Sequence, residues 1–237
     1  MSKLNWQVIL SGLPITSSRG FVGWSSVSLI NYNNHLGLFD VGAEGAREPL
    51  LNNLKNLGIK PLDIEFVIFS HLHFDHFINI ELFQNAKLYT TNEELDYALS
   101  DEPQQHGDFN YIKSSLYYYK NRFTLLYPQD QIYEGKIVAL PGHTKGSIGF
   151  ESEDCIFTGD ALKYSTEAKN KSTAYAYYNK QMADESICAI VAKNKIIIPG
   201  HDPAFKLENG NIVYLNTASV EVYKKKDSCV SIFLKEV

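Results

Sequence analysis

The chain has 237 residues, and 22 Lys plus Arg against 27 Asp plus Glu leave a formal charge of −5 with histidine neutral. Apolar residues at 44% and charged residues at 21% exclude a disordered chain, and the mild acidity argues against nucleic acid, whose phosphates need clustered Lys and Arg. No window approaches the roughly 18 unbroken apolar residues of a membrane span, Met1–Ser18 reads as a poor signal peptide, and Cys155, Cys188 and Cys229 form no CxxC, which suits a reducing cytoplasm.

With no repeat and no Pro/Gly/Ser linker, residues 1–237 read as one domain. In chain order, Leu4–Leu10, Val27–Tyr32 and Leu36–Phe39 predict strands, the last two joined by a tight turn at Asn33-Asn34. Arg47–Leu57 predicts a helix with Leu50, Leu51, Leu54 and Leu57 on one face and Gly58 as its stop. Phe66–Phe69 is a continuous apolar run, the pattern of a strand buried on both faces. Lys87–Thr90 predicts another strand, and Asn92 the cap of a helix over Glu93–Leu99. Residues 101–128 read as an aromatic-rich insertion, a loop followed by a helix near Asn110–Asn121. Ile132–Leu140, Ser147–Phe150 and Cys155–Phe157 predict strands, Met182–Lys193 a helix, and Lys195–Ile198 a buried strand. Ser219–Val237 predicts a hairpin with Lys224-Lys225-Lys226 at its tip. Strands in two batches with helices interspersed predict an α/β fold of two sheets with helices outside them.

The histidines are placed unevenly. His71-Leu72-His73-Phe74-Asp75-His76 holds three of the seven within six residues; by composition such a pattern arises by chance on the order of 3 × 10⁻⁴ times in a chain of this length. It follows the apolar run 66–69, so it lies where a buried strand emerges, the place where α/β folds present reactive side chains. Imidazole with carboxylate suits zinc, iron or manganese, whereas magnesium and calcium take oxygen alone. His71 and His73 can converge on one ion, and Asp75 and His76 can hold a second. His143 and His201 each follow an apolar strand and a Pro-Gly turn, and Asp160 and Asp40 also stand just after strands. Only His35 and His106 are left as ordinary histidines.

In this order, Asp40, the 71–76 motif, His143, Asp160 and His201 resemble the metallo-β-lactamase superfamily, over about 160 of the 237 residues. The resemblance implies a four-layer αβ/βα sandwich with two divalent metal ions in a groove at the sheet edges. His71, His73 and His143 would bind the first ion, Asp75, His76 and His201 the second, and Asp160 would bridge them, with Asp40 behind the ligands orienting one of them. Zinc heads the candidate ions, ahead of iron, manganese and cobalt. The reaction implied is hydrolysis of an ester or lactone bond by a metal-bridging hydroxide, with Asp75 and Asp160 in the catalytic machinery. Asp160 stands where many zinc β-lactamases carry Cys, which argues against β-lactam hydrolysis.

Ser70–His76 and the stretch from Asn85 to Leu95 are similar to the N-acyl homoserine lactone lactonases. Where those enzymes usually carry small glycines after Asp-His, this chain has Phe77-Ile78, which should narrow the groove. Where they carry a Tyr three residues after the bridging Asp, it has Lys163, with Tyr164 one place on as the catalytic tyrosine. Trp24, Phe74, Phe77, Lys163 and Tyr177 are expected to face the substrate, a small-molecule ester, lactone or thioester. No nucleic acid and no membrane is expected as a partner, and the Tyr-rich insertion is a candidate homodimer surface. A glyoxalase-type thioesterase or a phosphodiesterase is the second reading, and a metal-binding protein without turnover the reading from outside the enzymes.

Overall fold

In the short apolar strands of this chain, successive side chains point to opposite faces, so each strand divides its residues between two cores. A computed structural model describes residues 4–18, 20–108 and 113–218. Its first strands are β1 (Asn5–Leu10), the small ribbon β2 (Thr16–Ser17) and β3 (Gly20–Phe21), β4 (Val27–Tyr32), β5 (His35–Phe39), β6 (Phe66–Ile68), β7 (Lys87–Thr91) and β8 (Phe123–Leu126). The others are β9 (Gln131–Ile132), β10 (Gly135–Ala139), β11 (Ile148–Glu151), β12 (Cys155–Gly159), β13 (Ile196–Pro199), β14 (Phe205–Glu208) and β15 (Asn211–Tyr214). The helices are α1 (Arg47–Asn56), α2 (Phe74–Phe77), α3 (Asn92–Leu99), α4 (Glu102–Gln105), α5 (Lys113–Tyr119), α6 (Ser165–Asn170) and α7 (Lys180–Ala192).

One sheet runs β1-β4-β5-β6-β7-β8, antiparallel up to β5 and parallel from β5 to β8. The other runs β15-β14-β13-β12-β11-β10-β9, with only β12 and β13 parallel. Phe39, Phe66 and Ile68 from the first sheet meet Ile137, Phe150, Cys155, Phe157 and Ile198 from the second in a core between the sheets. The alternate residues Leu38, Val67 and Phe69 pack outward with Leu50 and Leu54 of α1 and Leu116 of α5. On the far side, Ile156 and Ile197 pack with Ala168 of α6 and Ile187 and Ile190 of α7. The result is the four-layer order helix, sheet, sheet, helix, an α/β sandwich of the kind the sequence resembles.

Several elements differ from expectation. The helix α1 stops at Asn56, so Leu57 becomes its C-cap and is 41% exposed instead of joining Leu50 and Leu54. The expected strand Ile132–Leu140 is broken by a tight turn at Tyr133-Glu134. Tyr133 takes a left-handed φ of 53° and stacks its ring on Tyr32 and His35. The side-chain cap of α3 is Thr91, not Asn92. Within the insertion, α5 is followed by β8, which extends the first sheet, and α4 precedes them. The helix α6 and the hairpin β14–β15, turned at Asn209-Gly210, carried no expectation. The expected tail hairpin at 219–237, with Cys229 and the Lys triplet, lies outside the described residues, as do residues 110–112 of the expected insertion helix. Among the described residues no helix is long and apolar enough to cross a membrane.

Phe157 contacts Phe39, Phe150 and Trp6 at ring-centroid distances of 5.5, 6.0 and 6.0 Å and joins the two sheets. Phe157→Ala should cost about 3–5 kcal/mol of unfolding free energy. Urea denaturation would measure it, and a loss below about 1 kcal/mol would show that this core does not hold the sheets together.

Candidate metal centre

The strands deliver their polar ends to one edge. Asp40 follows β5, Ser70–His76 follow β6, Asp160 follows β12, His201 stands two residues past β13, and His143 lies in the turn after β10. Two backbone bonds lock the sheets together there: Ile148 N–H donates to Ser70 O at 2.9 Å and Ser26 N–H to Gly200 O at 2.7 Å. Space is tight enough to dictate glycine at 159, which has φ +50° and where a Cβ would lie 2.2 Å from Ser70 Oγ. The single turn α2 lets His76 N and Phe77 N both donate to His73 O, at 3.0 and 3.1 Å. In this way the motif turns back on itself.

Hydrogen bonds fix which ring nitrogens face inward. Ser70 Oγ spends its one proton on Asp40 Oδ2 at 2.7 Å, so the 2.9 Å contact with His71 Nδ1 requires His71 to donate. His71 Nε2 is left as a buried lone pair without a hydrogen-bond partner. His76 Nδ1 donates to the same Asp40 oxygen at 2.8 Å, which turns His76 Nε2 toward Asp160 Oδ1 at 3.2 Å. His73 Nε2 bonds Asp108 Oδ2 at 2.9 Å, and its Nδ1 lies 3.0 Å from His143 Nε2. His201 Nε2 stands 3.3 Å from Asp75 Oδ2 and 3.2 Å from Asp160 Oδ1. Three overlapping groups result, each with its ligand atoms within 4.8 Å of one another: His71, His73 and His143; His71, His76 and Asp160; Asp75, His76 and His201. The three groups crowd ring nitrogens together, and His71 Nε2 is buried among them with no hydrogen-bond partner, which is unfavourable as it stands. A cation among them resolves this, and the donor set of imidazole and carboxylate fits a transition-metal ion.

The electrostatics divide the imidazoles. Burial, reinforced by the neighbouring rings His76 and His73, holds His71 well below the ordinary histidine pKa, and burial does the same for His143. Burial also opposes charge on His76, but Asp75, Asp160 and Asp40 outweigh it and hold that pKa well above the ordinary value. His201 is pushed up to about 9, burial again being overcome by Asp160 and Asp75. The partner carboxylates move the other way. Against their burial, Asp75 falls to about 2 beside His76 and His201, and Asp160 is held well below the usual carboxylate range by His201, His76 and His143.

Around this cluster the structure brings some of the expected residues and not others. The Tyr177 ring stands edge-on to His73 and His143, with centroids 5.2 and 5.5 Å away. Tyr164 lies 6.4 Å from the His201 ring, and Lys163 O accepts from His201 N at 3.0 Å. Phe74 is 42% exposed. Phe77 does not reach the groove: it is fully buried in the outer core against Phe69 and Tyr119. Trp24 lines a separate cleft with Leu10, Leu13, Pro49 and Asn53, to which none of the imidazoles contributes. Its neighbour Ser25 does touch the motif, donating to Asp75 O at 2.5 Å. Sequence reasoning missed Ser70, adjacent to the motif, and Asp108, which is 35 residues from His73 and also accepts from Tyr97 OH at 3.1 Å. No local pattern marks Asp108.

Comparison with known proteins agrees with this geometry. A family model described as the metallo-beta-lactamase superfamily matches residues 21–201. A probable metallo-hydrolase of Methanocaldococcus jannaschii is 28% identical over 165 residues, covering 70% of each chain. An N-acyl homoserine lactonase of Bacillus thuringiensis is 29% identical over 163 residues, 65% of this chain and 62% of that one. Among solved structures, an N-acyl homoserine lactone hydrolase with N-hexanoyl-L-homoserine bound at its catalytic metal center superposes with a TM-score of 0.66 at 21% identity, covering 84% of this chain and 93% of the other. With the strand order, the converging imidazoles and the matched span in agreement, the chain belongs to the metallo-beta-lactamase superfamily of metal-dependent hydrolases.

Proposed function

We propose that this chain hydrolyses an ester or lactone bond of a small molecule with two divalent cations held at the sheet edge. The observation that carries the reading is the convergence of inward-facing nitrogens, above all His73 Nδ1 and His143 Nε2 at 3.0 Å. His71, His73 and His143 would hold one cation and Asp75, His76 and His201 the other. Asp160 fits a place between them, because its Oδ2 lies 3.3 Å from His143 while its Oδ1 lies 3.2 Å from both His76 and His201. Zinc suits these donors best, with iron, manganese and cobalt as alternatives. Such ions supply Lewis acidity toward a carbonyl oxygen and acidify water into a nucleophile at neutral pH.

The chain's own residues provide the rest. Asp40 and Asp108 orient the His76 and His73 rings through their outer nitrogens. Burial, together with Asp160, pushes the Tyr164 phenol well above its ordinary pKa, so it stays protonated and can donate to the oxygen on which charge develops. Tyr177, raised to about 12 by burial and then by Asp108, also keeps its proton and offers a ring edge beside His73. The likeness to N-acyl homoserine lactonases supports lactones as the first substrates to assay. Thioesters and phosphodiesters share the same electrophilic demand and belong in the same assay panel.

Freshly purified protein should contain two divalent ions per chain, and chelation should abolish lactone hydrolysis until Zn²⁺, Mn²⁺ or Co²⁺ is restored. Fewer than two ions together with no cation-dependent turnover on lactones, thioesters or phosphodiesters would overturn the proposal. Tyr164→Phe should lower kcat about 100-fold with little change in KM, the scale of a lost donor to the developing oxyanion; unchanged kcat would remove Tyr164 from the reaction.

Metal loading should also depend on pH. With its pKa at about 9, His201 carries a proton at neutral pH in the metal-free protein, and a cation must displace it. His76, whose pKa is also held well above the ordinary value, must give up a proton at the same position, so apparent affinity for the ion at His76 and His201 should rise by more than about tenfold per pH unit below pH 9, with protons released on binding. Titrating Zn²⁺ in buffers of different ionisation enthalpy measures that release, and a flat affinity between pH 6.5 and 8.5 would contradict it.

A further inference from the structure

Thr91-Asn92-Glu93-Glu94 at the start of α3 has the form of a capping box, in which the last carboxylate folds back onto the N-H of the first residue. Half of the box forms: Thr91 Oγ1 accepts from Glu94 N at 3.2 Å. The Glu94 carboxylate goes elsewhere. It is 1% exposed, and its Oε1 accepts from Leu72 N at 2.8 Å. Its Oε2 accepts from Thr144 Oγ1 at 2.7 Å and from Gly146 N at 3.1 Å. Leu72 lies between His71 and His73, and Thr144 directly follows His143. One buried carboxylate thus fastens both loops that carry the first group of three imidazoles.

The attachment is close and specific. A Cβ on residue 146 would fall 2.1 Å from Glu94 N, so the 143–147 loop sits directly against the start of α3. Thr91 Oγ1 also donates to Gly146 O at 3.0 Å, and Thr144 Oγ1 lies 2.5 Å from Ser147 Oγ. All three partners of Glu94 are donors, a demand that only an acceptor-only group meets without leaving a buried N–H unsatisfied. A carboxylate is costly to bury away from water, and local helix capping needs no such burial. The shared loops give the reason for it.

We propose that Glu94 is a positioning residue that sets the spacing between the His71–His73 pair and His143, and through it the affinity of the first cation position; this rests on the two-cation reading above. Glu94→Gln keeps the volume and one acceptor, but whichever way its amide turns its NH₂ group faces a backbone N–H that cannot turn away, Leu72 N–H or Gly146 N–H. The 143–147 loop should then withdraw from the 71–73 segment, while Asp75, His76 and His201 keep their places.

The test is a Zn²⁺ titration of the metal-free full chain in competition with a chromophoric chelator, for wild type and Glu94→Gln. One of the two Zn²⁺ should bind at least about tenfold more weakly in the variant, and the other within about twofold of wild type. In a His201→Ala background, where the first position alone remains intact, the full weakening should persist. Thr144→Val removes one of the three donors and should give a smaller loss at the same position, and it decides the matter if Glu94→Gln does not fold. Glu93→Gln, at an exposed neighbour, should match wild type. A purely structural Glu94 would weaken both Zn²⁺ equally alongside a lower Tm of the metal-free protein; that outcome, or unchanged affinities in both Glu94→Gln and Thr144→Val, overturns the proposal. Wild type that binds no pair of Zn²⁺ ions overturns the two-cation reading itself, and the inference with it.

Discussion

Everything at the sheet edge depends on a crowding of buried ring nitrogens that the fold holds in place. His73 Nδ1 and His143 Nε2 are held 3.0 Å apart, close enough to share one proton, His76 Nε2 faces Asp160 Oδ1 at 3.2 Å, and His71 Nε2 is buried without a hydrogen-bond partner. Asp40 fixes His76 directly and His71 through Ser70, and Asp108 fixes His73. Such an arrangement costs stability by itself, since buried polar atoms without partners are unfavourable. The apolar cores on both sides of the sheets carry that cost. The cluster therefore reads as a binding site prepared in advance rather than as a structural network.

Much of this was legible from the sequence wherever the signal was local. The apolar runs at 66–69 and 196–198 mark strands because their β-branched and aromatic residues repeat without polar breaks, and Asn33-Asn34 marks a turn because both residues tolerate the left-handed φ values of 52° and 69° seen there. The chemistry of the 71–76 motif was likewise local. Phe77 shows the limit. Three residues after Phe74 it enters the same one-turn helix, and each residue of a helix is rotated by roughly 100° from the last. Which residue of such a turn faces the core is decided by docking against Phe69 and Tyr119, not by proximity to Asp75-His76. Asp108 was illegible for a related reason, its role depending on an insertion folding back across 35 residues. The hairpin at Asn209-Gly210 is a different case, because Asn-Gly between short apolar runs is a recognised signal for a tight turn.

The loops around the site share a construction that the sequence alone does not reveal. Glu94 stands three residues after the N-cap of α3, and Glu167 three residues after the N-cap of α6. Glu167 accepts from Lys163 N at 2.7 Å, Tyr164 N at 3.3 Å and Thr173 Oγ1 at 2.6 Å, so it joins the turn after Asp160 to the segment leading to Tyr177. Glu94 does the same for the loops of His71–His73 and His143. One helix from each outer layer thus directs a buried carboxylate from its first turn at the loops of the site. Loops are ordinarily the mobile parts of a fold; here each is held by a charge-assisted acceptor at a helix start, where the helix dipole also favours negative charge.

This construction bears on what the groove can accept. The acceptors of the site face inward: the imidazole nitrogens and the oxygens of Asp75 and Asp160 point at the cation positions. What remains on the rim is a set of donors. Burial keeps the Tyr164 and Tyr177 phenols protonated, and the Lys163 ammonium donates to Tyr175 O at 3.4 Å. On the proposed two-cation reading, a substrate that places a carbonyl oxygen over the cluster would find cations beneath it and O–H or N–H donors beside it. The Lys163 ammonium, close enough to reinforce burial in lowering the His143 pKa, also favours such an oxygen, because it is an obligate donor with a full charge. It therefore supports electron-rich acyl groups over amide N–H groups as the part of the substrate that lies against the α6 side of the groove.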